Sequence, residues 1–237
     1  MISSLDENKT NKHEMLKIIM ENNMSVLVKW LGHASFMVEV AGKIIYLDPH
    51  EGEYTKKADL ILASHSHRDH CNTDKIKEIL KDDTIIIAPK DCASKVDGKS
   101  MSLKPGESTE FEDVIVSAVE AYNFKRFRSP GMPFHPKGLG VGYLITAEGK
   151  TIYHAGDTDF IEEMNDLKNV DLALLPSGGT YTMDNPEAAE AALAINPKTA
   201  VPMHRWDTDP MEFKAAVEAK TQSVKVTVLN PGEELVL

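Results

Sequence analysis

The segment Ser64-His65-Ser66-His67-Arg68-Asp69-His70 decides how this chain is read. Three imidazoles and a carboxylate come directly after the apolar stretch Asp59-Leu60-Ile61-Leu62-Ala63. The pattern is His-x-His-x-Asp-His at the end of a buried strand. Imidazole and carboxylate suit borderline and hard divalent ions such as zinc, iron and manganese. Residues two apart on extended chain point the same way, so His65 and His67 can grip one ion. A turn into a following helix would aim Asp69 and His70 elsewhere, at a second ion. A solvated polar turn, the bland alternative, does not account for so dense a ligand set.

Outward from this motif, strands and helices interleave. Strands are expected over residues 26–30, 35–40, 44–47, 59–63, 84–88 and 114–119, and a helix over 73–81. The loop 123–140 is rich in Pro, Gly and basic residues and reads as a functional rim or lid rather than a linker. Residues 141–145 and 151–154 form a hairpin turning at Glu148-Gly149. Strands follow at 171–175 and 199–201. Asn185-Pro186-Glu187 starts a helix, with an Asn cap and Pro at the first helical position, and the helix runs to Asn196-Pro197. Asp209-Pro210 opens another in the same way. Strands at 224–229 and 234–237 close the chain. The second half loosely echoes the grammar of the first without repeating its sequence. Residues 1–23 read as an N-terminal extension or short helix, and residues 24–237 as a single domain.

Composition narrows the function classes. The chain has 237 residues, 42% of them hydrophobic, and a formal net charge of −11. Such a field repels nucleic acid unless basic residues are segregated, and the best candidate cluster, Lys125, Arg126 and Arg128, reads first as a solvated loop. No run approaches membrane-spanning length, and no secretory signal pattern opens the chain, so a cytoplasmic protein is expected. Two cysteines, Cys71 and Cys92, make no disulfide framework and fit a reducing compartment. Cys71 reads as a small buried residue at the start of a helix rather than a metal ligand. Apolar helix faces leave a homo-oligomer open.

A two-metal site needs further ligands, and strand ends are where side chains converge. The strand 151–154 ends in Ala155-Gly156-Asp157-Thr158, where a carboxylate can bridge two ions about 3.5–4 Å apart. The strand 199–201 ends in Pro202-Met203-His204, an imidazole at the equivalent point. Asn123 and His135 lie in or beside the long loop. Taken alone, an Asp after Gly caps a turn and a single His is structural. The first motif, which needs partners, raises the standing of both.

With these pieces assembled, the chain resembles the metallo-β-lactamase superfamily. His65-Ser66-His67-Arg68-Asp69-His70, Gly156-Asp157-Thr158 and Pro202-Met203-His204 match in order and spacing from about residue 25 onward. Trp30-Leu31-Gly32-His33-Ala34-Ser35-Phe36, Leu47-Asp48-Pro49 and Pro176-Ser177-Gly178-Gly179-Thr180-Tyr181-Thr182-Met183 look like the branch of metal-dependent hydrolases similar to L-ascorbate-6-phosphate lactonase. The resemblance implies an α/β (α+β) fold, a four-layer αββα sandwich of two mixed sheets flanked by helices. It implies His65 and His67 on a first metal, Asp69, His70 and His204 on a second, and Asp157 bridging. The chain departs from the pattern at one point. A third first-metal histidine is expected where Asn123 stands, and His135 is the candidate to replace it. His33 is a candidate for substrate contact or support, while His154 and Asp48 are candidates for orienting ligands.

The expected chemistry is metal-assisted hydrolysis. Two divalent ions (zinc first, with manganese, iron or nickel as alternatives) lower the pKa of a bridging water toward about 7. The resulting metal-bound hydroxide attacks a small, anionic ester, lactone or phosphate ester, and Asp69 and Asp157 are the candidate catalytic carboxylates. Lys125, Arg126, Arg128 and Lys137 could supply counter-charge to the substrate. Two competing readings are a phosphodiesterase acting on nucleic acid or lipid, and a non-catalytic metal- or ligand-binding protein with an impaired first site. No Gly-x-Ser-x-Gly elbow or phosphate-cradling loop offers another nucleophile or cofactor.

Overall fold

The computed structural model describes residues 25–237. The N-terminal extension or helix expected at 1–23, with His13, lies outside the described residues. The expected sandwich of two mixed sheets flanked by helices is present. The first sheet contains β1 (Leu27–Gly32), β2 (Ser35–Val40), β3 (Lys43–Leu47), β4 (Leu60–Leu62), β5 (Ile85–Ile87) and β6 (Lys99–Met101). The late strand β16 (Glu234–Val236) joins its edge, giving the order β16-β1-β2-β3-β4-β5-β6. The second sheet contains β7 (Ser108–Phe111), β8 (Val114–Ala121), β11 (Gly140–Ala147), β12 (Lys150–His154), β13 (Leu172–Pro176), β14 (Thr199–Met203) and β15 (Lys225–Val226). Its order is β15-β14-β13-β12-β11-β8-β7.

The echo between the two halves is structural. Each sheet runs through three antiparallel pairings and then three parallel ones. In the first the direction changes after β3, in the second after β12. Period-two alternation puts Val28, Trp30, Phe36 and Val38 of the first sheet against Val116, Tyr143, Ile145 and Leu174 of the second. The short parallel strand β4 is buried along its whole length, as expected where both faces are covered.

Helices cover the outer faces. On the first sheet, α1 (Thr73–Ile79) packs Ile76 and Ile79 on Tyr46 and Ile61, and the short α2 (Lys90–Ala93) adds Cys92. On the second, α3 (Asn185–Ile195) and α4 (Pro210–Glu218) pack Ala188, Ala192, Phe213 and Val217 on Tyr153, Ala173 and Leu175. The cap of α3 is Asp184, not Asn185, because the Asp184 carboxylate reaches the Glu187 amide at 2.9 Å. Asn185 turns instead to the Asp209 carbonyl at 2.9 Å. The α4 cap at Asp209 forms as expected.

Two further differences concern the loop and the cysteines. The segment 123–140 contains a ribbon of β9 (Phe127–Ser129) and β10 (Met132–Pro133). Cys71 and Cys92 form a disulfide, with Cα atoms 6.3 Å apart. This works against the reducing-compartment reading. The pairing was hidden because 21 residues separate the two in sequence, and α2 must fold back beside the start of α1 before they meet. Cys71 is buried as expected, and its sulfur is committed to the bridge.

Candidate metal centre

Strand ends from both sheets deliver the cluster. The chain leaves β4 through Ala63 and Ser64 and turns tightly, the amides of His70 and Cys71 both bonding the His67 carbonyl. β11 passes beside this turn at Gly140, where a Cβ would lie 2.8 Å from that of His65. Any larger residue there would push the turn away. β12 leads through Ala155 and Gly156 to Asp157, and β14 leads directly to His204. The amide of His204 bonds the His33 carbonyl, joining the second sheet to the β1–β2 turn.

The side chains gather into two outer sets, joined by a third group of His65, His70 and Asp157 that spans them. His65, His67 and His135 place ligand atoms within 4.8 Å of one another, as do His33, Asp69, His70 and His204. In the first set, His67 Nδ1 is 3.0 Å from His65 Nε2 and 3.2 Å from His135 Nε2. Asp157 lies between the sets. Its Oδ2 is 3.3 Å from His135 Nε2 and 3.2 Å from His204 Nε2, and its Oδ1 is 3.4 Å from His70 Nε2.

Asn123 braces the first set. Its Oδ1 accepts the His135 amide at 3.0 Å and faces His135 Nδ1 at 2.7 Å. With Nδ1 donating, His135 Nε2 keeps its lone pair toward the cluster. Asn123 Nδ2 donates to Asp159 Oδ1 at 3.0 Å, and Asp159 also accepts Arg126 Nη1 at 2.6 Å. Arg126 reaches Glu187 at 2.5 Å. A buried ionic chain thus anchors the loop that carries His135. The loop is clipped at its base as well, because the Asn123 amide bonds the His135 carbonyl at 2.7 Å.

Asp48 braces the second set. It is buried, and its Oδ2 lies 2.7 Å from His70 Nδ1. Ser64 donates to it twice, from its amide at 2.6 Å and its hydroxyl at 2.7 Å. His33 Nε2 lies 3.2 Å from Asp69 Oδ2. His154 faces the Ala34 carbonyl at 2.9 Å and the Gly156 amide, and its Nε2 lies 3.9 Å from Asp48 Oδ2, the carboxylate that braces His70.

Electrostatics suit cation binding. Burial, followed by the neighbouring His70 charge, holds the His65 imidazole well below its ordinary range. Burial also lowers His67 and takes His135 to about 4. All three are therefore neutral with free lone pairs, the form that ligates. Burial opposes ionisation of Asp157, but the His204 and His70 charges outweigh it and hold the carboxylate well below its usual range. For His70 the burial penalty is likewise overcome, by Asp157 and Asp48.

The residues fit a metal by a further criterion. His70 Nε2, His204 Nε2 and Asp157 Oδ1 are buried without a hydrogen-bond partner in the structure. Buried polar atoms are normally satisfied, and these face one another with only each other to meet. A divalent cation satisfies such a set. His33, Asp48, His204 and Trp206 also hold left-handed backbone, at φ of +50°, +44°, +46° and +46°. Each costs on the order of 1–3 kcal/mol and is characteristic of residues fixed by a site.

Every residue singled out by motif lies in or beside this cluster. Sequence reasoning missed Ser64, His50 (whose Nδ1 meets Asn72 Nδ2 at 3.2 Å), and the Asp159–Arg126–Glu187 chain. Ser64 opens the motif, which was its only signal. The expectation for the loop cations changes. Lys125 pairs with Glu187, Arg126 with Asp159 and Glu187, and Lys137 with Glu120 and Glu163, so these charges are spent within the protein. Arg128 forms no ion pair among the described residues, and its charge is felt at His67.

The comparisons agree with this geometry. The sequence pattern of the beta-lactamase superfamily domain matches residues 27–204. A UPF0173 metal-dependent hydrolase of Pelotomaculum thermopropionicum is 35% identical over 230 residues, covering 89% of this chain and 99% of the relative. One from Pyrococcus abyssi is 38% identical over 236 residues, covering 90% and 100%. Among solved structures, Igni18, a metallo hydrolase from Ignicoccus hospitalis, is 28% identical with a TM-score of 0.74, covering 90% of this chain and 98% of that one. A strand-end cluster of histidines and aspartates on two echoing sheets, in a chain this similar, places the protein in the metallo-β-lactamase superfamily as a UPF0173-type metal-dependent hydrolase.

Proposed function

We propose that this protein hydrolyses a small, anionic ester, lactone or phosphate ester at a centre of two divalent ions. The observation that carries the reading is Asp157, whose two oxygens face His135 and His204 on one side and His70 on the other. His65, His67 and His135 would hold one ion, and Asp69, His70 and His204 the other, with Asp157 shared. When bound, such ions supply Lewis acidity and a nucleophile at neutral pH. Zinc suits this histidine and carboxylate set, and manganese, iron or nickel would also fit.

The chain's own part is to orient and to hold charge. Asp48 and Asn123 fix the rings of His70 and His135 by their Nδ1 atoms, so each aims Nε2 into the centre. Asp69 is partly exposed at the mouth. Burial opposes its ionisation, but the hydrogen bond from His33 and the His70 charge keep it anionic at neutral pH. His33 Nε2, at 3.2 Å, is positioned to hold a proton against Asp69 Oδ2. Arg128 is the loop cation free to meet an anionic substrate.

The lactone part of this reading rests on motif resemblance alone. Against the non-catalytic alternative stands His135, whose Nε2 lies 3.2 Å from His67 Nδ1 and so supports a complete first set. The charge of −11 works against a nucleic-acid substrate. Among the described residues no helix is long and apolar enough to cross a membrane. Cytoplasmic placement is part of the same proposal, and the Cys71–Cys92 bridge counts against it.

The test is metal analysis of purified protein loaded in turn with zinc, manganese, iron and nickel, with a panel of esters, lactones, phosphate monoesters and phosphodiesters. Two equivalents of metal per chain and turnover of a small ester or lactone are expected. Full activity in Asp157→Ala would overturn the mechanism.

A further inference from the structure

We propose that Phe134, Tyr181 and Trp206 form a wall beside the metal centre that takes a flat, unsaturated ring of the substrate. The inference rests on the hydrolase reading and deepens it by naming the shape of the group next to the reacting carbonyl.

The wall spans the mouth from one ligand set to the other. Phe134 immediately precedes His135, and its ring meets Tyr181 edge-on at 4.8 Å. The Tyr181 ring lies 6.3 Å from Trp206. Trp206 closes the arc against the second set, its ring 5.0 Å from His33 and 5.7 Å from His204. Two of the three rings face solvent, Tyr181 39% and Trp206 58% exposed. An indole left in water forgoes the burial that usually pays for a tryptophan, so its exposure beside a metal cluster calls for an occupant.

The backbone is built to hold that indole out. Trp206 sits at φ +46°, a conformation unfavourable for a bulky residue. Gly178, at the end of β13, leaves room for it. A Cβ there would lie 2.7 Å from Trp206 Cδ1 and 2.4 Å from the His204 carbonyl. A left-handed tryptophan over an obligatory glycine is costly to maintain, and packing the core does not require it.

The chemistry of the wall defines the guest. Aromatic faces prefer a partner ring in offset or edge-to-face geometry, and a puckered saturated ring of the same carbon count cannot adopt it. Arg128 stands at the outer end, its guanidinium 6.0 Å from the Phe134 ring centre and donating to the Phe134 carbonyl at 3.0 Å. It adds an anchor for an anionic group on the same substrate.

Two esters isolate the ring from the chemistry. Methyl phenylacetate and methyl cyclohexylacetate share the leaving group and keep the ring one carbon from the carbonyl. In Trp206→Ala, the preference for the phenyl over the cyclohexyl ester in kcat/KM should fall about three- to tenfold. Trp206→Phe should restore the phenyl preference. Equal losses on both esters would overturn the proposal.

A binding readout decides the matter even if the wild type hydrolyses neither ester. The chain has two tryptophans, and Trp30 is buried at 4% exposure, so quenching by 4-nitrophenylacetamide reports on Trp206. Saturable quenching in the wild type, weakened severalfold in Tyr181→Ala, supports the wall. Non-saturating quenching unchanged by Tyr181→Ala would overturn it. Saturable quenching without hydrolysis would count against the hydrolase reading alone.

Discussion

The two sheets run through the same pairings, and in each an aspartate follows the strand where direction changes. In the first sheet it is Asp48, after β3, and in the second Asp157, after β12. Both are buried. Their partners separate them. Asp48 is enclosed by the Ser64 amide, the Ser64 hydroxyl and His70 Nδ1. Asp157 faces only Nε2 atoms of histidines, and its Oδ1 has no hydrogen-bond partner. The same place in the same grammar serves as a brace on one side and as a meeting point for ligands on the other. A carboxylate enclosed by backbone and hydroxyl donors is a fixture, while one set among the imidazoles of both ligand sets is placed to share a cation.

The comparison breaks most visibly at Asp157. Asp157→Ala should cost hydrolysis about a thousandfold or more and lower metal content at both sites, read by turnover and metal analysis together. Next in size, Asp159→Ala takes from the Arg126 guanidinium one of its two close carboxylates, Glu187 remaining, and leaves the Phe124 and Lys125 amides without their acceptor. Unfolding in urea should show a loss of about 1–3 kcal/mol. Asp48→Asn should then weaken one equivalent of metal by roughly 10–100-fold and spare the other. Asn123→Ala should do the same to the opposite equivalent. If either variant lost both equivalents, the division into two sets would fall.

The smallest effect is on pH stability of the metal-free protein. The folded His135 sits at about 4 and the unfolded one near the ordinary 6.5. Between these values the unfolded chain binds more protons, so stability should fall as pH drops from about 6.5 to about 4. His65 and His67, also lowered, act in the same direction. His70, raised, acts oppositely: its contribution is complete below 6.5 and lost as pH climbs through its folded value. The net slope should be on the order of 1 kcal/mol, read as a urea midpoint at each pH.

Much of this centre could be read from sequence because its ligands sit at strand ends. Short apolar runs mark the strands, and the polar residues after each are placed without tertiary knowledge. The run from His65 to His70, Asp157 and His204 entered the candidate set in this way, and the structure brings them together. What escaped depends on where distant chain meets. Asn123 looked like a damaged ligand, and only the return of a 12-residue excursion shows it holding His135, the candidate for that place. The loop cations looked free because their carboxylate partners Glu187 and Glu163 lie 62 and 26 residues away from Lys125 and Lys137. The cysteine pair and the shift of the α3 cap by one residue have the same origin, in contacts that local pattern does not encode.

The spread of the ligands has a consequence for the life of the chain. His65 and His204 are 139 positions apart and belong to different sheets. No short stretch can assemble the whole centre, so a cation cannot template folding as it does in a zinc finger. The sheets must dock first, bringing like charges and unsatisfied donors together at a loss. Cation capture then recovers that loss by mass action. An empty protein should therefore open first where β4, β12 and β14 converge, and the availability of metal in the cell should set how long each molecule survives.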